Sequence, residues 1–250
     1  AVAVSFAHFV DTFNGVFESE NAWAAARVLR AAGYELHVPA REGKRPCCGR
    51  TWLAAGMVGR ARASASALVE ALAPLAAAGI PIVGLEPACL FTLRDEALVM
   101  GLGDAARTVA SQALLFEEFI AREFQAGRFS LELRAAEAPI LVHGHCHQKA
   151  FGAAGPMLEV LRMIPGAAPE LIESSCCGMA GSFGYEREHW EASMAMAELA
   201  LLPAVRQRPD AIVVADGTSC RHQIRDGAGR DAIHVARLLD RLLATKRPPG

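Results

Sequence analysis

The sequence predicts an α/β protein of two Rossmann-like lobes, each with a parallel sheet flanked by helices. Two observations support this prediction. Short apolar, β-branched runs alternate with longer amphipathic stretches, which is the pattern of strand–helix units in a parallel sheet. The order of these units is then repeated in the second half of the chain, which indicates an internal duplication. We expect the first lobe at 1–130 and the second at 139–250.

The first lobe opens with a predicted strand and a helix that ends at Gly33, because glycine suits the left-handed residue after a helix. A long Ala-rich helix then follows a pair of cysteines, with an interruption expected at Pro74, which lacks a backbone donor. Two further strands, the second leading into a helix, complete the lobe. The predicted strands are 2–10, 34–38, 80–85 and 113–116, and the predicted helices are 21–32, 53–78 and 117–124.

The second lobe repeats this order after a polar, Ala-rich boundary at 125–138. Its long helix is expected to break near Pro203. The predicted strands are 139–143, 170–173, 211–215 and 233–235, and the predicted helices are 156–163, 188–207 and 236–243.

The cysteines follow the same duplication. A Cys-Cys-Gly triplet occurs in each half, at Cys47-Cys48-Gly49 and Cys176-Cys177-Gly178. A lone cysteine, Cys89 or Cys220, follows each triplet after a similar interval. Buried apolar cysteines are common, but two matched sets point to thiolate ligands, which suit iron–sulfur clusters or zinc rather than calcium or magnesium.

The predicted topology explains how such distant cysteines meet. Open parallel sheets bind ligands outside the carboxyl ends of their strands. Five cysteines each come shortly after a predicted strand, at Cys48, Cys89, Cys146, Cys177 and Cys220. We expect Gly49 and Gly178 to let the chain turn tightly beside a bulky group.

The bulk composition limits the classes of function. The 250 residues are 52% hydrophobic and carry a formal charge of −2, without the basic patch of a nucleic-acid binder. No apolar run is long enough to span a membrane. Seven cysteines without a disulfide framework indicate a reducing compartment, so we expect a cytoplasmic protein, with a peripheral position at the inner membrane face left open. Because the chain starts at Ala1 without an initiator Met, we expect a piece of a longer protein.

The second half offers a complete set of four thiolates, at Cys146, Cys176, Cys177 and Cys220. Four thiolates satisfy either a four-iron cluster or tetrahedral zinc. Adjacent cysteines do not easily bind one zinc ion together, whereas a cluster with several irons accepts them. The pair therefore favours iron–sulfur, with zinc as the alternative.

The first half offers three thiolates, at Cys47, Cys48 and Cys89. Thr12 occupies the position that matches Cys146, because both come just after the first strand of their half. The first lobe could therefore hold a cluster with an open iron or be degenerate, so a second cluster stays an open question.

Three alternating histidines, His143, His145 and His147, surround Cys146. On a strand, alternate residues share a face, so these side chains could converge. They could ligate metal directly or hydrogen-bond around a cluster. A small metal-dependent hydrolase is a third interpretation, because three histidines can bind catalytic zinc.

At these motifs the chain resembles the cysteine-rich CCG-domain family, in which two copies occur in tandem. The motifs include Cys47-Cys48-Gly49-Arg50, His143-Gly144-His145-Cys146-His147-Gln148-Lys149 and Gly217-Thr218-Ser219-Cys220-Arg221-His222-Gln223. The most similar branch carries the domain as an iron–sulfur module behind an FAD-linked oxidase that acts on D-2-hydroxy acids of the glycolate or D-lactate type.

The chain departs from the family pattern of a single cysteine, a vicinal pair and a Cys-x-x-Cys ending. Glu86 and Gly217 stand where that ending has its first cysteine, and Thr12 replaces the leading cysteine of the first copy. The resemblance therefore implies one ordinary 4Fe-4S cluster in the second half.

We expect an electron-transfer module without independent turnover. The resemblance implies that FAD lies on a partner oxidase domain or subunit and that electrons pass to a quinone or another acceptor. The alternative is a zinc-binding interaction domain that docks a flavoprotein without transferring electrons.

Overall fold

The computed structural model describes residues 5–39 and 46–244. The chain divides into two compact units, Ala1–Leu131 and Glu132–Gly250, and each contains one four-stranded parallel sheet covered by helices. The predicted α/β class with two lobes is confirmed. Of the strand predicted at 2–10, residues 2–4 lie outside the described residues.

The first unit has its strands in the order β2-β1-β3-β4, and every neighbouring pair is parallel. Its strands are β1 (Ser5–Phe9), β2 (Glu35–His37), β3 (Ile82–Gly84) and β4 (Ala113–Leu115). Its helices are a π-helical turn (Phe13–Phe17), α1 (Ser19–Ala31), α2 (Arg50–Ala54), α3 (Val58–Ala77), α4 (Pro87–Arg94), α5 (Glu96–Val99), α6 (Gly103–Gln112) and α7 (Phe116–Gln125).

The second unit repeats this topology in the order β6-β5-β7-β8, again fully parallel. Its strands are β5 (Ile140–His143), β6 (Glu170–Leu171), β7 (Ile212–Ala215) and β8 (Ala232–Ile233). Its helices are α8 (Cys146–Ala150), α9 (Ala154–Arg162), two 3₁₀ turns (Phe183–Tyr185 and Arg187–His189), α10 (Trp190–Glu198), α11 (Leu201–Gln207), α12 (Thr218–Ala228) and α13 (Val235–Leu242).

Strand register makes the two units comparable residue by residue. Phe9 pairs with Gly84 at the end of β1 and β3, and His143 pairs with Ala215 at the end of β5 and β7. Counting from these pairs, Thr12 corresponds to Cys146, and Cys89 corresponds to Cys220.

The helix break expected at Pro74 was wrongly placed, whereas the break expected near Pro203 falls just before that residue, between Glu198 and Leu201. Pro74 lies inside α3, which continues to Ala77, and the break falls instead near Gly56, whose φ of 72° suits glycine. Pro203 lies in the first turn of α11, where a backbone N–H has no intrahelical partner, so proline costs little there.

The segment that connects the units belongs to the second one. Leu133 forms an antiparallel bridge with Leu243. Arg134 N donates to Leu242 O at 2.8 Å, and Ala244 N donates to Glu132 O at 2.9 Å. Residues 132–134 therefore extend this unit beyond the boundary expected at 139.

Apolar side chains from helices and strands form the cores that hold the cysteine loops. In the second unit, Cys177 and Cys220 pack in one buried cluster with Val213 of β7 and Leu201 of α11. Among the described residues, no helix is long and apolar enough to cross a membrane.

Candidate metal centre

The four cysteines of the second unit form a continuous row of neighbouring thiols. Cys176 interacts with Cys146 on one side and with Cys177 on the other, and Cys177 in turn interacts with Cys220. The row runs from the exposed Cys146 through the half-buried Cys176 to the buried Cys177 and Cys220. The structure thus brings together all four second-lobe cysteines that the sequence singled out.

Each thiol comes from a loop or helix start beyond the carboxyl end of a strand. Cys146 begins α8 three residues after β5, and Cys220 lies in the first turn of α12 after β7. Cys176 and Cys177 follow β6. Parallel strands place these ends at one edge of the sheet, which explains why residues far apart in sequence meet there.

His143, the last residue of β5, also belongs to this cluster. A ring nitrogen of His143 and the sulfurs of Cys177 and Cys220 all lie within 4.8 Å of one another, and all three residues are buried. Its Nδ1 lies 3.0 Å from Ser174 Oγ, while its buried Nε2 has no nitrogen or oxygen partner in the described part of the chain. His143 is therefore a candidate nitrogen donor beside the thiols.

The other two histidines do not continue the strand on which convergence was expected. β5 ends at His143, and His145 instead caps α8, accepting a hydrogen bond from His147 N on its Nδ1 at 3.1 Å. The rings of His145 and His147 lie 5.1 Å apart, and His145 Nδ1 is 3.9 Å from Cys146 Sγ. His145 thus lies against the exposed end of the sulfur row.

The electrostatics of the row favour a mixture of thiols and thiolates. Contacts with Cys146 and Cys177 lower the pKa of Cys176, and contact with Cys177, aided by His143 and His145, lowers the pKa of Cys220. Cys176 raises the pKa of both Cys146 and Cys177. Neighbouring sulfurs share protons in this way because adjacent buried negative charges repel, and a bound cation would remove that repulsion.

The third residue of each triplet must be glycine because the backbone of a neighbouring helix lies against it. Gly49 and Gly178 have φ values of 85° and 90°, and a Cβ on either would overlap a backbone carbonyl, that of Ala61 in α3 or of Ser193 in α10. The close approach expected beside a bulky group is thus an approach to helix backbone. It fixes the direction in which each cysteine pair leaves its loop.

Gly217 shows how the missing family cysteine is replaced. A Cβ at this position would overlap the His145 ring and come within 3.2 Å of Cys220 Sγ. The imidazole of His145 therefore occupies the space that a side chain at 217 would need.

The three first-unit cysteines are also neighbours, in the same order. Cys47 interacts with Cys48 and with the Thr12 side chain, and Cys48 interacts with Cys89. Thr12 thus contacts Cys47 in the first unit as Cys146 contacts Cys176 in the second. This supports the correspondence derived from strand register.

In the first unit the pKa of all three thiols is raised. The Cys48 thiol and burial raise the pKa of Cys47. Contact with Cys47 lowers the pKa of Cys48, but Cys89 and burial hold it well above the ordinary value. For Cys89, contact with Cys48 lowers the pKa, but burial and the carboxyl groups of Asp11 and Glu86 raise it to about 11.

The donor set of the second unit fits a metal centre. It combines four thiols in one row, two of which have a lowered pKa, with a buried imidazole that has a ring nitrogen near two sulfurs. Thiolate sulfur is the donor that zinc and iron–sulfur clusters share. Cys146, Cys176, Cys177 and Cys220 would hold such a group, with His143 beside them.

Comparison with known families finds a match for the part of the chain that carries these cysteines. Residues 140–225, which contain all four of these cysteines, match the CCG family model, described as a cysteine-rich domain. This match to a CCG cysteine-rich domain confirms, for the second half of the chain, the resemblance found from the sequence motifs.

The similar curated proteins are dehydrogenases or their subunits. The chain is 29% identical over 222 residues to a subunit of the anaerobic glycerol-3-phosphate dehydrogenase of Escherichia coli, covering 87% of this chain and 54% of that protein. It is 28% identical over 236 residues to the D-2-hydroxyglutarate dehydrogenase of Pantoea ananatis, covering 93% of this chain and 22% of that protein. The chain thus spans about half of the former and about a fifth of the latter.

Sequence reasoning gave Asp11 and Glu86 no role beside the cysteines and did not distinguish His143 from the two neighbouring histidines. His143 was considered only as one of three strand histidines, whereas its position as the last strand residue places it beside the cysteines. Asp11 and Glu86 lie two residues past the paired strand ends Phe9 and Gly84, an offset that could have identified them.

Proposed function

We propose that this chain is an electron-transfer module of an FAD-linked 2-hydroxy-acid dehydrogenase or oxidase. Cys146, Cys176, Cys177 and Cys220 would hold a 4Fe-4S cluster in the second unit. When bound, such a cluster accepts and releases single electrons. The flavin would lie on a partner FAD-binding domain or subunit in the cytoplasm, and a quinone or similar acceptor would receive the electrons.

The row of four thiols carries this proposal. Four donors match the four irons of such a cluster, and the vicinal Cys176–Cys177 pair suits a group that offers several metal atoms. The two cysteines whose pKa is lowered, Cys176 and Cys220, supply thiolates from different loops.

The change in burial along the row suggests the end at which electron-transfer partners would approach. Cys220 and Cys177 are buried, while Cys146 is exposed. Partners that exchange electrons would approach at the Cys146 end, because there the least protein separates the ligands from the surface. The dehydrogenase relatives support a flavoprotein as one such partner.

The test is anaerobic purification of the full chain, followed by metal analysis and visible absorption. We expect a brown protein that absorbs near 400 nm, bleaches with dithionite and contains about four irons per chain. A colourless protein with stoichiometric zinc would contradict the proposal.

One observation favours zinc as the second candidate. The donor atoms of His143, Cys177 and Cys220 lie within 4.8 Å of one another, a spacing that a single ion can satisfy with little movement. The chain would then be a zinc-stabilised interaction domain that docks a flavoprotein, and the same metal analysis separates the two functions.

A further inference from the structure

Helix α8, which begins at Cys146, is bonded to both of the other cysteine loops by two consecutive side chains. Gln148 Nε2 donates to Asp216 Oδ2 at 3.0 Å, four residues before Cys220. Lys149 Nζ donates to Ser174 O at 2.5 Å and to Ser175 O, immediately before the Cys176–Cys177 pair. Three separate ligand segments are thus joined through one short helix.

The Gln148 connection is buried and has support on both sides. Gln148 Oε1 accepts a hydrogen bond from His145 N at 2.9 Å, which fixes the orientation of its amide. Asp216 Oδ1 accepts one from Val235 N at 3.0 Å and lies 3.5 Å from His234 Nε2. Gln148, Asp216 and His234 are fully buried, so breaking this connection would leave polar groups unsatisfied.

The Lys149 connection brings a positive charge to the segment before the cysteine pair. Ser174 is held from a second side, because its Oγ lies 3.0 Å from His143 Nδ1. Hydrogen bonds from a charged donor are about twice as strong as neutral ones. Lys149 and His143 together fix the segment that leads to Cys176.

Among the described residues of the first unit, neither connection is present. Asn14 and Gly15 occupy the positions of Gln148 and Lys149. Asn14 is buried, but its hydrogen bonds go to Asp11 and Asn21 in its own segment, and Gly15 has no side chain. Leu85 replaces Asp216.

We propose that Gln148 and Lys149 are positioning residues that lock the Cys146 helix to the two other ligand loops, so that the four sulfurs form a preorganised site before metal arrives. This inference rests on the proposed use of these cysteines as ligands. It adds a reason why the second unit, rather than the first, captures metal.

The first measurement is amide hydrogen exchange on the metal-free full chain. Lys149→Met and Gln148→Leu should raise exchange across 146–150 and 174–178 about tenfold, the order expected for losing one such hydrogen bond. Arg162→Met, which removes an exposed cation from the last turn of α9, should exchange like the natural chain. Unchanged exchange in both Lys149→Met and Gln148→Leu would overturn the proposal.

The second measurement is the affinity for Co²⁺, monitored through sulfur-to-cobalt charge-transfer absorption. All variants carry Cys48→Ser, which weakens the first site. Lys149→Met should bind Co²⁺ about tenfold more weakly, and Lys149→Arg should restore affinity because it keeps the charge and the donors. Equal affinity in Lys149→Met and the parent would overturn the proposal, as would failure of Lys149→Arg to differ from Lys149→Met. Neither readout depends on iron, so a chain that takes up no iron–sulfur cluster would refute the proposed function alone.

Discussion

The two units hold their cysteines in the same order but surround them with opposite chemistry. In the second unit, His143 and His145 lie beside the thiols and help to lower the pKa of Cys220. At the positions of His145 and Gly217, the first unit carries the buried acids Asp11 and Glu86, which help to raise the pKa of Cys89 to about 11. The fold therefore gathers the sulfurs in both units, and the residues two positions past the strand ends add to the larger effects of neighbouring thiols and burial on the pKa of Cys89 and Cys220.

This difference matters because the thiolate, not the thiol, binds metal. In the second unit the pKa of two thiols is lowered and that of Cys146 and Cys177 is raised, whereas in the first unit the pKa of all three thiols is raised. The duplication kept the scaffold, while the charge environment of the cysteines differs between the two copies.

The largest expected effect comes from removing Cys177, an internal sulfur of the second-unit row. Cys177→Ser should abolish the chromophore, because Cys177 joins Cys176 to Cys220. The matched Cys48→Ser should retain most of the absorbance near 400 nm. Iron content and visible spectra measure both, and equal loss in the two variants would show that the units share the metal equally.

The next effect is a gain of function in the first unit. Thr12→Cys supplies the missing thiol beside Cys47, but Asp11 and Glu86 still oppose ionisation. We expect Thr12→Cys alone to add little metal and the triple variant Thr12→Cys, Asp11→His, Glu86→Gly to raise bound metal measurably.

The triple variant is chosen so that its parts fit together. Asp11 Oδ1 accepts from Phe13 N at 2.9 Å as His145 Nδ1 accepts from His147 N, so histidine can replace the cap. Glycine at 86 then provides the space that Gly217 gives to His145. If Thr12→Cys alone reaches the metal content of the triple variant, the charge environment is not what separates the units.

A smaller effect tests the space beside His145. Gly217→Ala should destabilise the second unit by ~1–3 kcal/mol, the usual cost of overpacking, because its Cβ meets the imidazole ring. Gly144→Ala is the control, since its Cβ would find its nearest neighbour at an ordinary 3.5 Å. Denaturant unfolding measures both, and equal stability of the two variants would contradict this account of position 217.

The smallest expected effect is confined to the first unit. Glu123 lies at the position of Leu242 in the second unit and accepts hydrogen bonds from Arg128, at 2.8 and 2.9 Å. Arg128 lowers the pKa of Glu123 below its ordinary 4.5. The stabilisation of the folded unit by the Glu123 carboxylate is therefore complete above pH 4.5. It disappears as the pH falls through the lowered pKa of Glu123.

Replacing this carboxylate with an amide tests whether the stabilisation by Glu123 is lost on acidification. Glu123→Gln should cost about 1 kcal/mol near pH 7, and its difference from the natural chain should shrink below pH 4.5. Thermal unfolding between pH 3 and 7 gives the comparison. A difference that grows on acidification would contradict the assignment.

The sequence predicted the repeated α/β architecture because strand–helix alternation and the matched cysteines are local signals. The helix break predicted at Pro74 was misplaced because proline was taken to interrupt a helix wherever it occurs, whereas the break predicted near Pro203 falls just before that residue. In fact, Pro203 lies in a first turn that needs no donor, and Pro74 is accommodated within a long packed helix.

Part of the candidate site was beyond the reach of sequence patterns. That Cys146, Cys176, Cys177 and Cys220 are neighbours follows from strand topology, which the sequence indicates. The bonds of Gln148 and Lys149 to distant loops depend on side-chain directions in the folded unit, and no spacing in the chain encodes them. The exclusion of a side chain at Gly217 likewise appears only once the His145 ring has a position.

The pairing of residues 132–134 with the end of the chain has a practical consequence for dissecting the molecule. A fragment that starts at 139 would lose the bridge between Leu133 and Leu243 and both backbone bonds around it, exposing the apolar end of α13. A fragment that starts at Glu132 keeps the bridge and these hydrogen bonds, so it is the better choice for producing the second unit in isolation.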